Sequence, residues 1–223
     1  MRGQFISSWS LWLGALWLAF PLAARATGVE KRTFVILVDG RLAGECRLTY
    51  SAGEEGSETR SGSAAVQVRH LLGSYRYHFD GTEVWKGGRL QRLHSISDDD
   101  GKKCTIDAVA GETGLRVQAN GQTSTVRADA WPTTYWRMPA AELRGQPLTL
   151  LDIDTGRTLA ARFKTIGPAR LIVFGQAIDC THYRVTGQTE ADLWYDAQER
   201  PVRQETVEDG HRTILILKEV RHP

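Results

Sequence analysis

Nucleic-acid-binding proteins carry a surplus of basic residues, and this sequence has almost none. Its 28 Lys and Arg stand against 26 Asp and Glu over 223 residues. Arg2 and Arg25 fall within the first 26 residues, which hold no acid, so the remainder carries 26 of each sign. That balance argues against a nucleic-acid partner. Cysteine is also scarce. Cys46, Cys104 and Cys180 are too few for a disulfide scaffold, and an odd count leaves at least one thiol free or paired with another molecule. No segment beyond Phe20 is apolar enough to cross a bilayer. There is no Gly-x-Gly-x-x-Gly turn, no phosphate loop and no Gly-x-Ser-x-Gly elbow, so no cofactor is expected and the case for an enzyme is weak.

What is present begins with an address. Arg2 is followed by an apolar stretch from Leu11 to Phe20, a break at Pro21, and the small-x-small triplet Ala24-Arg25-Ala26. This is the pattern of a secretory signal peptide cleaved after Ala26, and its apolar core is too short to span hydrocarbon. The first cysteine is Cys46, far from that site, so the lipoprotein route is not expected. The expected product is a single domain, residues 27–223, exported to a periplasmic or extracellular space without lipidation.

That domain reads as strands and turns. Leu42, Gly44, Cys46, Leu48 and Tyr50 share one face of a period-two segment, and Tyr75, Tyr77 and Phe79 alternate with Arg76, His78 and Asp80. Turn signals recur at Asp39-Gly40, Lys86-Gly87-Gly88, Asp99-Asp100-Gly101, Asn120-Gly121 and Asp209-Gly210. The polar stretch Ala52–Gly62 reads as a mobile loop, and Asp80-Gly81 as a bulge or turn. Thr158–Ile166, Ala169–Phe174 and Ile178–Thr186 read as three separate strands. Between Ala128 and Gln146 the alternation stops. Ala130–Trp136 and Pro139–Leu143 read there as helical turns. About twelve short, hairpin-linked strands with little helix predict an all-β fold. One antiparallel sheet that wide must curl into a barrel or half-barrel, or split into a sandwich.

Three constellations carry possible chemistry, and each has a simpler reading. Asp152-Ile153-Asp154-Thr155-Gly156 contains the Asp-Thr-Gly of aspartic proteases, but there is no second copy and Arg157 follows it. The same run as a calcium loop requires an acid at its twelfth position, where Phe163 stands. A turn is the simpler account. Asp98-Asp99-Asp100-Gly101, beside Lys102 and Lys103, reads as a solvated turn. Cys180-x-His182 places a thiol and an imidazole on one strand face, yet no further ligand spacing supports a metal, and no metal site is expected.

The aromatic residues are the remaining signal. Trp131, Tyr135 and Trp136 lie in the irregular segment, where a lid or plug over the sheet is expected.

Several short motifs resemble a known family. Phe34–Gly44, with its apolar strand and Asp39-Gly40-Arg41 turn, is similar to the opening hairpin of exported bacterial proteins of domain-of-unknown-function family 6134. So are Tyr75-Arg76-Tyr77, Glu83-Val84-Trp85 with Gly88-Arg89-Leu90, the Asp98–Gly101 turn and Trp194-Tyr195-Asp196. Trp194-Tyr195-Asp196 followed by Pro201-Val202-Arg203-Gln204-Glu205 also resembles the carboxyl half of periplasmic lipoprotein-carrier and sorting proteins. That resemblance implies an unclosed barrel whose concave face holds acyl chains. Those carriers fill the open side with helices, and this chain has little helix.

These readings lead to an exported, non-enzymatic β protein that holds a lipid or fatty acyl group in a curved-sheet cavity. Tyr75, Tyr77, Phe79, Trp85, Trp131 and Trp136 are its expected lining. The alternative is an envelope protein–protein interaction module without a small-molecule ligand.

Overall fold

The computed structural model describes residues 28–70 and 73–222; the expected leader, and Leu71 at the end of one expected strand, lie outside the described residues. The chain begins with β1 (Glu30–Val38), β2 (Arg41–Ala52), β3 (Ser57–His70) and β4 (Gly73–Lys86). It continues through β5 (Arg89–Asp99), β6 (Lys102–Ala110), β7 (Leu115–Ala119) and β8 (Gln122–Val126). After an irregular stretch come the two-residue β9 (Trp131–Pro132), β10 (Pro147–Leu151), β11 (Thr158–Val173) and β12 (Gln176–Gly187). The last three are β13 (Ala191–Tyr195), β14 (Pro201–Glu208) and β15 (His211–Arg221).

All fifteen strands join one curved sheet in the order β8 to β1, then β15 down to β9. The fold is all-β, as the turn spacing predicts. Every pairing is antiparallel except β9 on β10. The sheet stays open at one seam, between the edge strands β8 and β9.

Among the described residues, six two-residue hairpin turns have left-handed residues at both central positions, the geometry that matches strand twist. Five were legible as Asp-Gly, Asn-Gly or Gly-Gly, and the sixth, Phe174-Gly175, was not. There the bulky Phe174 takes φ 48°.

Several expectations are corrected. Ser57–Gly62 is not a loop but the first half of β3, paired to both β2 and β4. It lacks an apolar alternation because its inward positions hold Arg60 and Gly62 rather than apolar residues, while Thr59 and Ser61 face outward. β4 runs through Asp80-Gly81 without a break, with Gly81 paired to Gly62 and Ser95. Thr158–Ile166 and Ala169–Val173 belong to one strand, β11, with a register shift beside Gly167, and Phe174 falls in the turn that follows. Ala130–Trp136 holds no helical turn, whereas Ala141–Leu143 forms a single 3-10 turn. Leu42 does not share the buried fate of Cys46, Leu48 and Tyr50. A register shift between Ile36 and Leu37 separates it from them and it is exposed.

The inner face holds the core. Cross-strand rows such as Phe34, Cys46, Ala64, Phe79, Ser97 and Cys104 run around it, and most of these side chains are buried. All three cysteines are buried free thiols, and burial pushes the Cys46 thiol up to about 12. An Ellman titration is therefore expected to find almost no fast-reacting thiol in the folded protein and three after unfolding in guanidinium. Rapid native labelling of Cys46 or Cys104, which belong to the core, would show that the inner face opens.

Candidate functional site

The irregular segment between β8 and β10 turns into the barrel as a plug. Of the six expected lining residues, Phe79, Trp85, Trp131 and Trp136 come together inside, each between 1% and 7% exposed. Trp85 and Trp131 pack with ring centroids 4.5 Å apart, and Phe79 meets Trp136 edge-on at 6.0 Å. Tyr77 is half-buried against the same core and donates from its hydroxyl to Asp154 Oδ1 at 2.9 Å, whereas Tyr75 is 36% exposed.

A line of small residues receives the Trp136 indole. Gly62 and Gly81 are direct cross-strand partners on the inner face. A Cβ on Gly62 would stand 2.5 Å from Trp136 Cζ2, and one on Gly81 would stand 2.6 Å from Phe79 Cζ. No side chain larger than hydrogen fits at Gly62 while the indole stays in place.

Polar bonds fix the plug to the wall. Arg60 donates to the Trp136 carbonyl, and the Thr134 hydroxyl donates to Glu83 Oε1. Tyr195 donates to the Tyr135 carbonyl at 2.6 Å, Trp131 Nε1 to Arg137 O at 2.8 Å, and Ile153 N–H to Thr133 Oγ1 at 3.1 Å. Tyr135 takes φ 53° where its carbonyl turns to Tyr195. Glu83 is 1% exposed and also accepts from Trp85 Nε1 at 2.8 Å. Burial raises its carboxyl above the ordinary carboxylate value, and the two donated hydrogen bonds offset part of that rise. Nearby, Arg32 joins Glu30 and Asp196, each at 2.6 Å, and the Arg200 guanidinium lies 3.9 Å over the Tyr50 ring.

Sequence reasoning placed Tyr50 on one face with Cys46 and Leu48 but missed Arg32, Arg60 and Glu83 as members of this inner belt. Glu83 left a trace, because it stands two residues from Trp85 and so shares its strand face. Arg60 left none within a run of Ser, Thr and Gly.

The constellations with possible chemistry resolve as follows. Asp152–Gly156 is a tight turn between β10 and β11: Asp152 O accepts from Gly156 N–H at 2.8 Å, and Asp152 Oδ2 accepts from Thr155 at 2.6 Å. Asp98 Oδ1 caps the next turn through Gly101 N–H at 2.8 Å. His182 contacts Asp192 at 2.5 Å and stacks on Trp194 at 4.4 Å, while the Cys180 thiol points to the Ala169 carbonyl at 3.4 Å. Burial raises that thiol, so it is held as SH rather than as a thiolate nucleophile. Among the described residues no His, Cys, Asp and Glu group has the geometry for a metal ion.

The outer face carries a groove of about 730 Å³ over β1 to β5 and the end of β15. Two cross-strand rows form it. One runs Arg221, Lys31, Thr49, Ser61, Thr82 and His94, and the other Glu219, Thr33, Arg47, Ser63, Asp80 and Ile96. Gly62 and Gly81 also line it, through backbone alone, so the groove and the Trp136 indole lie on opposite sides of the same glycine pair.

Fold and site together define a plugged, barrel-like β protein with an outer polar groove. The model of a domain of unknown function, DUF6134, matches residues 34–218. The chain belongs to that family. It is also similar to the crystal structure of a beta-barrel-like protein of the domain of unknown function DUF1849 from Brucella abortus, with a TM-score of 0.66 and 11% identity. That likeness covers 88% of this chain and 98% of the other, and it bears on the fold alone. No curated protein matches the sequence.

Proposed function

We propose that the protein is an exported, non-catalytic interaction module of the cell envelope that engages its partner through the outer face of the sheet. One observation carries this reading: the interior is already filled by the chain's own plug, with Trp136 seated on Gly62 and tied through its carbonyl to Arg60. A ligand inside would have to displace buried aromatic surface and break the polar ties of Thr134 and Tyr135. The outer groove needs no such rearrangement.

A second reading, uptake of a lipid or fatty acyl group into the curved sheet, is favoured by the seam between β8 and β9, which no strand pairing closes. In it Trp131 and Trp136 line the ligand after the plug moves.

Native mass spectrometry of protein purified after export, followed by organic extraction, separates the two. The outer-face reading expects the bare mass of the chain and no uptake of added fatty acid or phospholipid. A discrete extractable lipid would overturn it in favour of the second.

A further inference from the structure

We infer that the outer groove binds a short acidic oligosaccharide: a few sugar units whose hydroxyls meet the floor and whose anionic group lies against the cationic wall. This rests on the outer-face reading above. The floor is set by Thr33, Thr49, Ser61, Ser63 and Thr82, one hydroxyl after another on four neighbouring strands. Each hydroxyl both donates and accepts and rotates to suit its partner, which matches the hydroxyls of a polyol. Lys31, Arg47, Lys218 and Arg221 stand along one side. Lys31 has no ion-pair partner among the described residues. Arg47 and Lys218 both pair with Glu45, and Arg221 pairs with Glu219, but the three cationic side chains are 70%, 48% and 73% exposed, and such wet pairs yield readily to a ligand anion.

The same lining argues against other occupants. β1 to β5 are paired on both sides, so an extended peptide has no free strand edge to join there. A nucleic acid calls for aromatic stacking platforms and a basic excess, whereas the groove has no Phe, Tyr or Trp, only the His94 imidazole, and includes Glu45, Asp80 and Glu219. A volume of about 730 Å³ is in the range of small-ligand sites, roughly 300–1,000 Å³.

The test is calorimetric titration of the mature protein with trigalacturonate, a sulfated heparin tetrasaccharide, maltotriose and inorganic phosphate. Both acidic saccharides, or one of them, should bind and maltotriose should not. The pair Arg47→Glu with Lys218→Glu should weaken binding about tenfold or more, and added salt should weaken it further. The same charge change at Arg92→Glu with Arg116→Glu, outside the groove, should leave it within about twofold. All variants should stay folded because every changed side chain is on the surface; the groove reversal also breaks the Arg47 and Lys218 pairs to Glu45 and should show the largest, still small, fall in thermal midpoint.

Absence of binding by both acidic saccharides, or binding indifferent to the groove reversal, would overturn the inference. Phosphate competing as well as trigalacturonate would also overturn it, leaving a simple ion site. A photoreactive residue at Thr82 separates the two levels. If saccharides fail but one protein crosslinks there, and the groove reversal abolishes that crosslink, the outer-face reading stands without the saccharide. If neither occurs, both fall.

Discussion

Replacing Trp136 by alanine is expected to cost about 3–5 kcal/mol of folding stability, the range for removing a large buried aromatic side chain. The indole is 7% exposed, packs edge-on against Phe79 and lies over Gly62 and Gly81. Gly62→Ala is the complementary change. Its new methyl carbon would stand 2.5 Å from the indole, so the ring must shift, at about 1–3 kcal/mol for overpacking. The same carbon would also stand 2.5 Å from Leu48 Cδ2, so in the Trp136→Ala background the indole's share of the collision is gone and the vacated space lets Leu48 move aside; Gly62→Ala should cost less there. Urea unfolding of the four proteins gives the coupling directly. Strong coupling places Trp136 in the wall as packing. Stability losses below about 1 kcal/mol for Trp136→Ala would instead favour a displaceable lid and the acyl-binding reading.

The second large effect concerns Glu83. Burial raises its carboxyl in the folded chain above the ordinary 4.5. Between that ordinary value and the folded one, the native state holds more protons than the unfolded chain. Stability from this group is therefore fully present below about 4.5 and falls as pH rises through the folded value, at a limiting slope of about 1.4 kcal/mol per pH unit. Glu83→Gln keeps an acceptor for Trp85 Nε1 and a partner for the Thr134 hydroxyl while removing the charge. The variant should gain on the native protein as pH rises. Glu83→Leu strands both partners and should lose about 2–4 kcal/mol at any pH. Parallel stability profiles for the native and Gln proteins, measured by urea unfolding across that range, would contradict this account. Asp154 is also raised by burial and adds a slope of the same sign, which is why the comparison with Gln is needed.

The turns were legible because Asp39-Gly40, Asn120-Gly121 and Asp209-Gly210 require left-handed backbone that few other pairs adopt. The plug was legible as an interruption of the alternation rich in Trp. What escaped was every place where the inner face is not apolar. Arg60 and Glu83 break the rule that charged residues face water, and their partners are distant in sequence: the Trp136 carbonyl and the Thr134 hydroxyl. Gly81 looked like a break because a glycine's local meaning is a turn. Its actual role is set by rings that pack over it from inside the barrel. The outer groove had no local signature at all, since it depends on how five strands bend together.

The order of strands also bears on how the molecule is made. β1 sits in the middle of the sheet, between β2 and β15, with Val38 opposite Thr213. Each remaining antiparallel contact is a hairpin or a short local connection that a growing chain can form early. The β1–β15 ladder instead waits for the last strand and closes nearly the whole chain into a loop, a step with a high entropic barrier. Until it forms, β1 exposes one apolar edge bearing Phe34 and Ile36 to any passing strand. Assembly should therefore proceed as two meanders that fold quickly and one slow zipping event that unites them, and that interval is when a holding chaperone would matter most.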